Sequence, residues 1–277
     1  MTTTLRPTEP LQRTAEGNRS RRFAVCVNSR PVGTLHLATH PAFGPSVAQI
    51  LDLRIDEQDR GRGRGTVAAL AAEEVARGWN CRRLEASVPA EQTALLRLAG
   101  ALGYVERNRN MAKPLPRQPP ALPPGSVGRR MTEAEYGPWL TREKARYEHT
   151  VVERGATERE AREKSERDHA ALLPDGIGTP DVLISVLEHE GGTVGTLWVA
   201  QGSAGFDGAY IYDVEVAADH RGRGHGRSLM LYAEADAIAA GATRIGLNVF
   251  ADNTPALRLY ESLGYAPTRH HLYKQLL

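Results

Sequence analysis

The sequence predicts two tandem copies of one α/β (α+β) domain, and three observations carry that prediction. A glycine–arginine loop occurs twice, as DRGRGRG at 59–65 and HRGRGHG at 220–226, each time after an apolar strand-like run and before a helix-like one. A second pair of matching segments follows, RLAGALGY at 97–104 and RLYESLGY at 258–265. Between the copies lies KPLPRQPPALPPGS at 113–126, whose prolines forbid helix or central strand and favour a stiff spacer. A repeat of this size means duplicated domains rather than a solenoid. The 277 residues suit two domains of about 100–150 each.

The first copy spans 23–113. FAVCV and VGTLHLA, joined by the turn cluster Asn28-Ser29-Arg30-Pro31, suggest a hairpin, and AQILDLRI is a third strand with apolar alternation. TVAALAAEEVARG is an Ala-rich helix stopped by Gly78, RLEASV a strand, QTALLRLAGALG a helix ended by Gly103, and YVERNRNMAKPL a terminal strand. Residues 114–126 are the linker. The second copy, 127–277, opens with two charged helices over 133–171 on either side of Gly155, which the first copy lacks. It then repeats the order: the hairpin VLISVLEHE and TVGTLWVAQ across Gly191-Gly192, the strand AYIYDVEV, the helix GRSLMLYAEADAIAAG, the strand RIGLNVF, the helix TPALRLYESLG and a closing strand. Residues 1–22 are polar and Arg-rich without an apolar signal-peptide core, so they are expected to form a disordered basic tail.

Composition narrows the class. With 41% hydrophobic and 25% charged residues the chain reads as soluble globular protein, and no run of about 18 apolar residues is available to span a membrane. Cys26 and Cys81 stand apart without metal-ligand spacing, so they read as small buried hydrophobes in a reducing, cytoplasmic setting. Residues 1–125 carry 18 Lys and Arg against 11 Asp and Glu, whereas the rest carry 17 against 22. A basic first half suits phosphates; an acidic second half suits a cationic amine.

The loop carries the chemistry. A strand-to-helix turn dense in glycine leaves backbone N–H groups unobstructed, and the helix start adds free N–H groups and a positive dipole end. Together they form a nest for a pyrophosphate. Arg221, Gly222, Arg223, Gly224, His225, Gly226 and Arg227 are the candidates in the second copy, and Arg60, Gly61, Arg62, Gly63, Arg64 and Gly65 in the first. A Walker A loop would need Gly-Lys-Ser/Thr, and a dinucleotide fingerprint would need GxGxxG with a downstream acid; neither is present. The pattern RxxGxG is satisfied twice, by Arg60, Gly63 and Gly65 and by Arg221, Gly224 and Gly226. His220, His225, His270 and His271 lack metal-site spacing, so no metal is expected.

With these motifs the second half, from Arg129 to Leu277, resembles the GNAT superfamily of acetyl-CoA-dependent N-acetyltransferases, and residues 23–113 resemble it less completely. The overall layout is similar to mycothiol synthase-like tandem acetyltransferases. The resemblance implies two GNAT-like domains, each a mixed, mostly antiparallel central sheet flanked by helices. RGRGHG looks like the family's pyrophosphate loop, and NVFADNTPALRLYESLGY at 248–265 like its coenzyme-binding segment, which implies contacts from Asn248, Asn253 and Tyr260. The first copy has Gln92 and Ala99 where Asn253 and Tyr260 stand, so it is expected to be degenerate.

The expected reaction moves an acetyl group from acetyl-CoA to a primary amine of a small molecule, by direct attack in a ternary complex. An ammonium group has no lone pair, so a carboxylate must take its proton; Asp213 or Glu215, on the strand leading to the loop, is the candidate. Which of them faces the cleft depends on a possible strand bulge. The family implies an oxyanion held by a backbone N–H near Val214 and Val216, and a thiolate protonated by Tyr260. Two readings of other classes remain open: an acetyl-CoA sensor that transfers nothing, and a nucleic-acid binder using the Arg-rich segments. Monomer and homodimer are both compatible with the sequence.

Overall fold

Alternating apolar residues in the strands and Ala-lined helix faces build the two halves to one plan. The computed structural model describes residues 3–41, 43–153, 156–203 and 205–276. In chain order the strands and helices are β1 (Thr3–Pro7), β2 (Gln12–Arg13), β3 (Arg19–Val27), β4 (Arg30–His40), β5 (Gly44–Ile55), α1 (Arg64–Gly78), β6 (Arg83–Pro89), α2 (Thr93–Ala101) and β7 (Val105–Pro114). After the Pro-rich stretch come β8 (Ser126–Arg130), α3 (Glu133–Glu153), α4 (Glu158–Leu172), β9 (Val182–His189), β10 (Gly192–Ser203), β11 (Phe206–Val216), α5 (His225–Ala239), β12 (Arg244–Phe250), α6 (Thr254–Ser262) and β13 (Ala266–Gln275). The run from α1 to β7 recurs from α5 to β13 with every element the same length.

Two compact units result, residues 1–109 with 268–277, and residues 110–267. These bounds differ from the sequence reading, which assigns 23–113 and 127–277 to separate domains. In the first unit β1, β3, β4 and β5 pair antiparallel, β5 and β6 pair parallel, and the far side of β6 is taken by β13 from the C-terminal end of the chain. Leu272 of β13 is buried there among Leu35, Leu37 and Leu84 and the small residues Ala68, Ala72 and Ala76 of α1. In the second unit β8 to β11 pair antiparallel and β11 and β12 parallel, while the end of β7 lies beside β12. Leu115 N donates to Thr243 O at 2.8 Å, and Met111 is buried with Leu197, Ile245, Leu229 and Met230. Each duplicated segment has thus given its last strand to the other unit. Matching strand length and core position make the donated strand fit: Met111 and Leu272 fill equivalent core positions.

The expected disordered tail is not what the structure shows. Thr3–Pro7 pairs along its length with β3, from Thr3↔Val27 to Pro7↔Phe23. Leu5 packs on the first core, and the ladder supplies hydrogen bonds for a segment whose composition alone is polar. Gly155, the expected break between the charged helices, lies outside the described residues. The break itself is marked by Thr157, which caps α4 and exchanges hydrogen bonds with Glu160 in a capping box.

The α3–α4 pair covers a face of the second sheet that would otherwise be bare. Trp139 of α3 meets Trp198 of β10 edge-on with centroids 5.8 Å apart, and both are buried with Val182, Ile184 and Val186. Burial of large rings on this face is where the helical pair gains its hold, since α4 has little apolar surface of its own.

Candidate active site in the second unit

Strand β11 is re-aimed by a bulge before it reaches the loop. Trp198 pairs with Asp213 but Val199 pairs with Ile211, so Tyr212 is the extra residue. Its ring stacks on Trp198 at 4.9 Å and 26°, which anchors the bulge. Ile211 points into the core shared with α5, whereas Tyr212 packs with the α3 side. Past the bulge Val214 and Val216 return to the α5 core, leaving Asp213 and Glu215 to meet α3. Parallel pairing with β12 stops at Ile211↔Leu247, although β11 runs on to Val216 and β12 to Phe250. The two strands therefore part next to the bulge and open a cleft with backbone on both walls.

At the end of β11 the chain forms the loop the sequence singles out. Gly222 and Gly224 adopt φ of +75° and +89°, a region open to glycine at little cost. The N–H groups of Gly222, Arg223 and Gly224 donate to no backbone carbonyl among the described residues, and α5 starts at His225. Gly226 lets the helix close on α6, for a Cβ there would stand 3.1 Å from Leu259 Cδ2. Free donors, the helix dipole and absent Cβ atoms fit a pyrophosphate such as that of coenzyme A. Arg221 Nε donates to Val216 O at 3.1 Å and closes the loop, and Arg227 donates to Ser262 Oγ on α6 at 2.7 Å. Arg223 stays exposed. The His225 ring is buried against His189, with centroids 4.8 Å apart, so only its backbone faces the nest.

The carboxylates are drawn together by a residue the sequence reading passed over. Arg146 of α3 donates to Asp213 Oδ1 at 2.8 Å and to Glu215 Oε2 at 3.0 Å, and also pairs with Glu143 one turn back. Asp213 Oδ2 is buried and has no hydrogen-bond partner among the described residues. Burial, then the Glu143 carboxylate, push the Asp213 carboxyl up to about 7 against the pull of Arg146. Burial raises Glu143 as well. For Arg146 burial acts downward, but Asp213, Glu143 and Glu215 outweigh it and hold the guanidinium charged.

Opposite this cluster, Tyr260 of α6 is buried in the core, its ring 6.0 Å from that of Tyr265. Burial, then the charge of Asp213, push its hydroxyl up to about 12, so it stays protonated at neutral pH. Asn253 accepts from Ala256 N at 3.2 Å and caps α6, and Asn248 donates to Asn110 at 2.6 Å. The structure thus joins Asp213 and Glu215 through Arg146 and sets Tyr260 within electrostatic reach of Asp213, while Asn253 caps α6 and Asn248 bonds Asn110.

The model of the acetyltransferase (GNAT) family matches residues 2–104 and 144–265. The chain belongs to the GNAT family. One relative, the uncharacterized N-acetyltransferase YdgE of Bacillus subtilis, is 33% identical over 122 residues, covering 43% of this chain and 78% of that protein. A mycothiol acetyltransferase of Corynebacterium aurimucosum is 36% identical over 74 residues, 27% of this chain and 24% of that protein. Among solved structures, a tandem GNAT protein from the clavulanic acid biosynthesis pathway, solved without acetyl-CoA, aligns over 94% of this chain and 84% of its own with a TM-score of 0.50 and 21% identity. That likeness concerns the fold, and it supports two GNAT repeats in one chain.

The first GNAT copy keeps the frame and changes the chemistry. Leu51 is bulged where Tyr212 is, for His36 pairs with Asp52 and Leu37 with Ile50. Arg60 Nε donates to Ile55 O at 2.9 Å as Arg221 does to Val216. Gly61 and Gly63 again have φ near +70°, at +70° and +72°. Arg64, however, is buried against Asp59, which also takes a two-pronged hydrogen bond from Arg30 at 2.8 and 3.0 Å. Its guanidinium is committed inside the fold, away from any ligand, whereas Arg62 is exposed. Arg54 replaces Glu215 and pairs with Asp52 at 3.1 Å. The Arg146 pairing lay hidden in the sequence because charged helices are usually solvated; its only trace was the run Glu143–Arg146 at helical i,i+3 spacing.

Proposed function

We propose that the second unit is an acetyl-CoA-dependent N-acetyltransferase that acts on a primary amine of a small molecule by direct attack in a ternary complex. The observation that carries the reading is the buried Asp213 Oδ2, without a hydrogen-bond partner among the described residues, beside a parted strand pair that leads into a glycine-rich loop with free N–H groups. Acetyl-CoA supplies the activated acyl group. Asp213, with a pKa near neutrality, takes the proton from the ammonium form of the acceptor, directly or through water. A backbone N–H near Val214–Val216 holds the developing oxyanion. Tyr260, protonated at neutral pH, is the group suited to give a proton to the departing thiolate. Glu143, Asp213 and Glu215 outnumber Arg146, which favours a cationic acceptor over an anionic one.

Titration calorimetry with acetyl-CoA, followed by thiol release in the presence of an amine panel, tests the reading. An acetyl-CoA site of the second unit that is lost with Gly224→Asp, and thiol release that depends on amine, are the expected results. Tight binding without release for any amine would leave a sensor in its place. The local likeness to a mycothiol acetyltransferase favours a second reading of the acceptor, and the amine precursor of mycothiol belongs in the panel for that reason.

A further inference from the structure

The first unit contains a cavity of about 350 Å³ where β5 and β6 part. Their parallel pairing ends at Ile50↔Ala86, and the cavity is lined beyond it by Leu51, Leu53, Val88, Leu95, Leu98 and Ala99, with Asp52 and Arg54 among its polar residues. Leu51, the bulged residue, is half exposed on this cavity although it is a large apolar side chain. Three of the apolar lining positions are small only in this copy, among them Ala86 on β6 where β12 has the buried Leu247. Ala69 on α1 stands where α5 has the buried Met230, and Ala99 on α2 stands where α6 has the buried Tyr260. The first cleft therefore lacks a thioether arm and a phenol ring that fill the same places in the second. Its loop still presents unobstructed N–H groups, for those of Gly61, Arg62 and Gly63 donate to no backbone carbonyl among the described residues.

We infer that this cleft is a second ligand site, one that takes an acyl-coenzyme A whose acyl chain is longer than acetyl. The coenzyme class rests on the reading of the second unit; the preference for chain length rests on the first unit's own residues. The nest takes the pyrophosphate, the parted strand edges offer amide partners to the arm, and the space vacated at Ala69 and Ala99 takes the chain. An apolar space of this kind gains more from methylene groups than from water, about fourfold in affinity for each one buried. Nothing in this copy replaces the Tyr260 hydroxyl at position 99, so the site is built for holding rather than for transfer.

The test uses the full chain carrying Gly224→Asp, which leaves the first loop intact, and titrates acetyl-CoA and hexanoyl-CoA by calorimetry. Hexanoyl-CoA is expected to bind at least about tenfold more tightly, a conservative share of what four further methylenes can give. Ala69→Met with Ala99→Tyr restores side chains that the same fold already accommodates in its other copy, and is expected to bring the two affinities within about twofold. Gly63→Asp added to Gly224→Asp should abolish both. Equal affinities in the Gly224→Asp chain, or no binding there, would overturn the inference. Acetyl-CoA titrated into the Gly63→Asp chain examines the second site separately, so the earlier reading stands or falls by its own isotherm.

Discussion

Lys113 Nζ lies 2.9 and 2.8 Å from the two carboxylate oxygens of Glu234, and Lys274 Nζ lies at the same distances from those of Glu73. Each lysine ends the strand donated by one repeat, and each glutamate lies deep on the long helix of the other. The glutamate side chains are only 2% exposed. Each lysine also stands over a tyrosine ring, Lys113 over Tyr265 at 5.7 Å and Lys274 over Tyr104 at 5.8 Å. A buried carboxylate without its cation is expensive, so these pairs make the strand exchange specific as well as stable.

Lys113→Met is therefore expected to lower the stability of the second unit by about 3 kcal/mol, the usual cost of stranding one partner of a buried pair. Lys113→Met combined with Glu234→Gln should recover most of the loss, because no buried charge is left. Urea unfolding of both variants checks this; a single-variant cost under about 1 kcal/mol would mean that water already reaches Glu234.

Asp213 makes activity and stability run in opposite directions with pH. Its folded pKa of about 7 stands above its ordinary 3.8, so between those values the folded chain holds a proton that the unfolded chain has released. Stability from this group is complete below about 4 and declines as pH rises to about 7. Turnover, which needs the carboxylate, should rise across its upper part. Asp213→Asn should abolish the rise in rate and gain relative thermal stability at pH 8 over pH 5, read by parallel pH–rate and melting profiles.

Arg146 acts through Asp213 rather than on the acceptor. Removing the guanidinium with Arg146→Met takes away the charge that holds the Asp213 pKa down, so the midpoint of the rate profile should move up by about one unit or more. Arg146→Lys should bring back part of that shift. A lower maximum rate with an unmoved midpoint would show that Arg146 only supports the helix.

Tyr260→Phe keeps the ring in the core and removes the hydroxyl. Turnover should fall by about 10²-fold with little change in acetyl-CoA affinity, the separation expected of a proton donor. Steady-state kinetics beside calorimetry distinguishes this from a packing defect, which would weaken both.

Gly195 of β10 pairs with Val216 of β11, next to Glu215. A Cβ there would collide with the Glu215 carbonyl oxygen and come within 2.8 Å of Leu229 Cδ1. Gly195→Ala should cost about 2 kcal/mol through overpacking and blunt turnover by displacing Glu215, a loss measured by chemical denaturation and the rate at saturating substrate. Gly33 holds the equivalent place in the first unit, against the Arg54 carbonyl.

The duplication, the element order and both loops are legible in the sequence because each depends on local pattern: apolar alternation, Ala-rich helical spacing and glycine at fixed offsets. The bulge at Tyr212 is not, since its register is set by which residue of β11 faces Trp198 across the sheet. Arg146 is hidden for a related reason; its partners are remote in sequence, and its own surroundings are those of a solvated helix. The strand Thr3–Pro7 escapes because its order comes from a neighbour's hydrogen bonds rather than from its own composition. The exchange of β7 and β13 could not be read either, as two strands of equal length, with Met111 and Lys113 matching Leu272 and Lys274 in position, fit both places and only the folded chain chooses.

That choice sets the time at which the protein can be finished. Synthesis runs from the N-terminal side and domains usually take shape as they emerge, but the unit that contains residues 1–109 also needs residues 268–277. Until they leave the ribosome, β6 has an open edge and Glu73 lacks its ammonium partner. The half that is made first is thus the half that must wait, and it is sealed only after the other has been translated through.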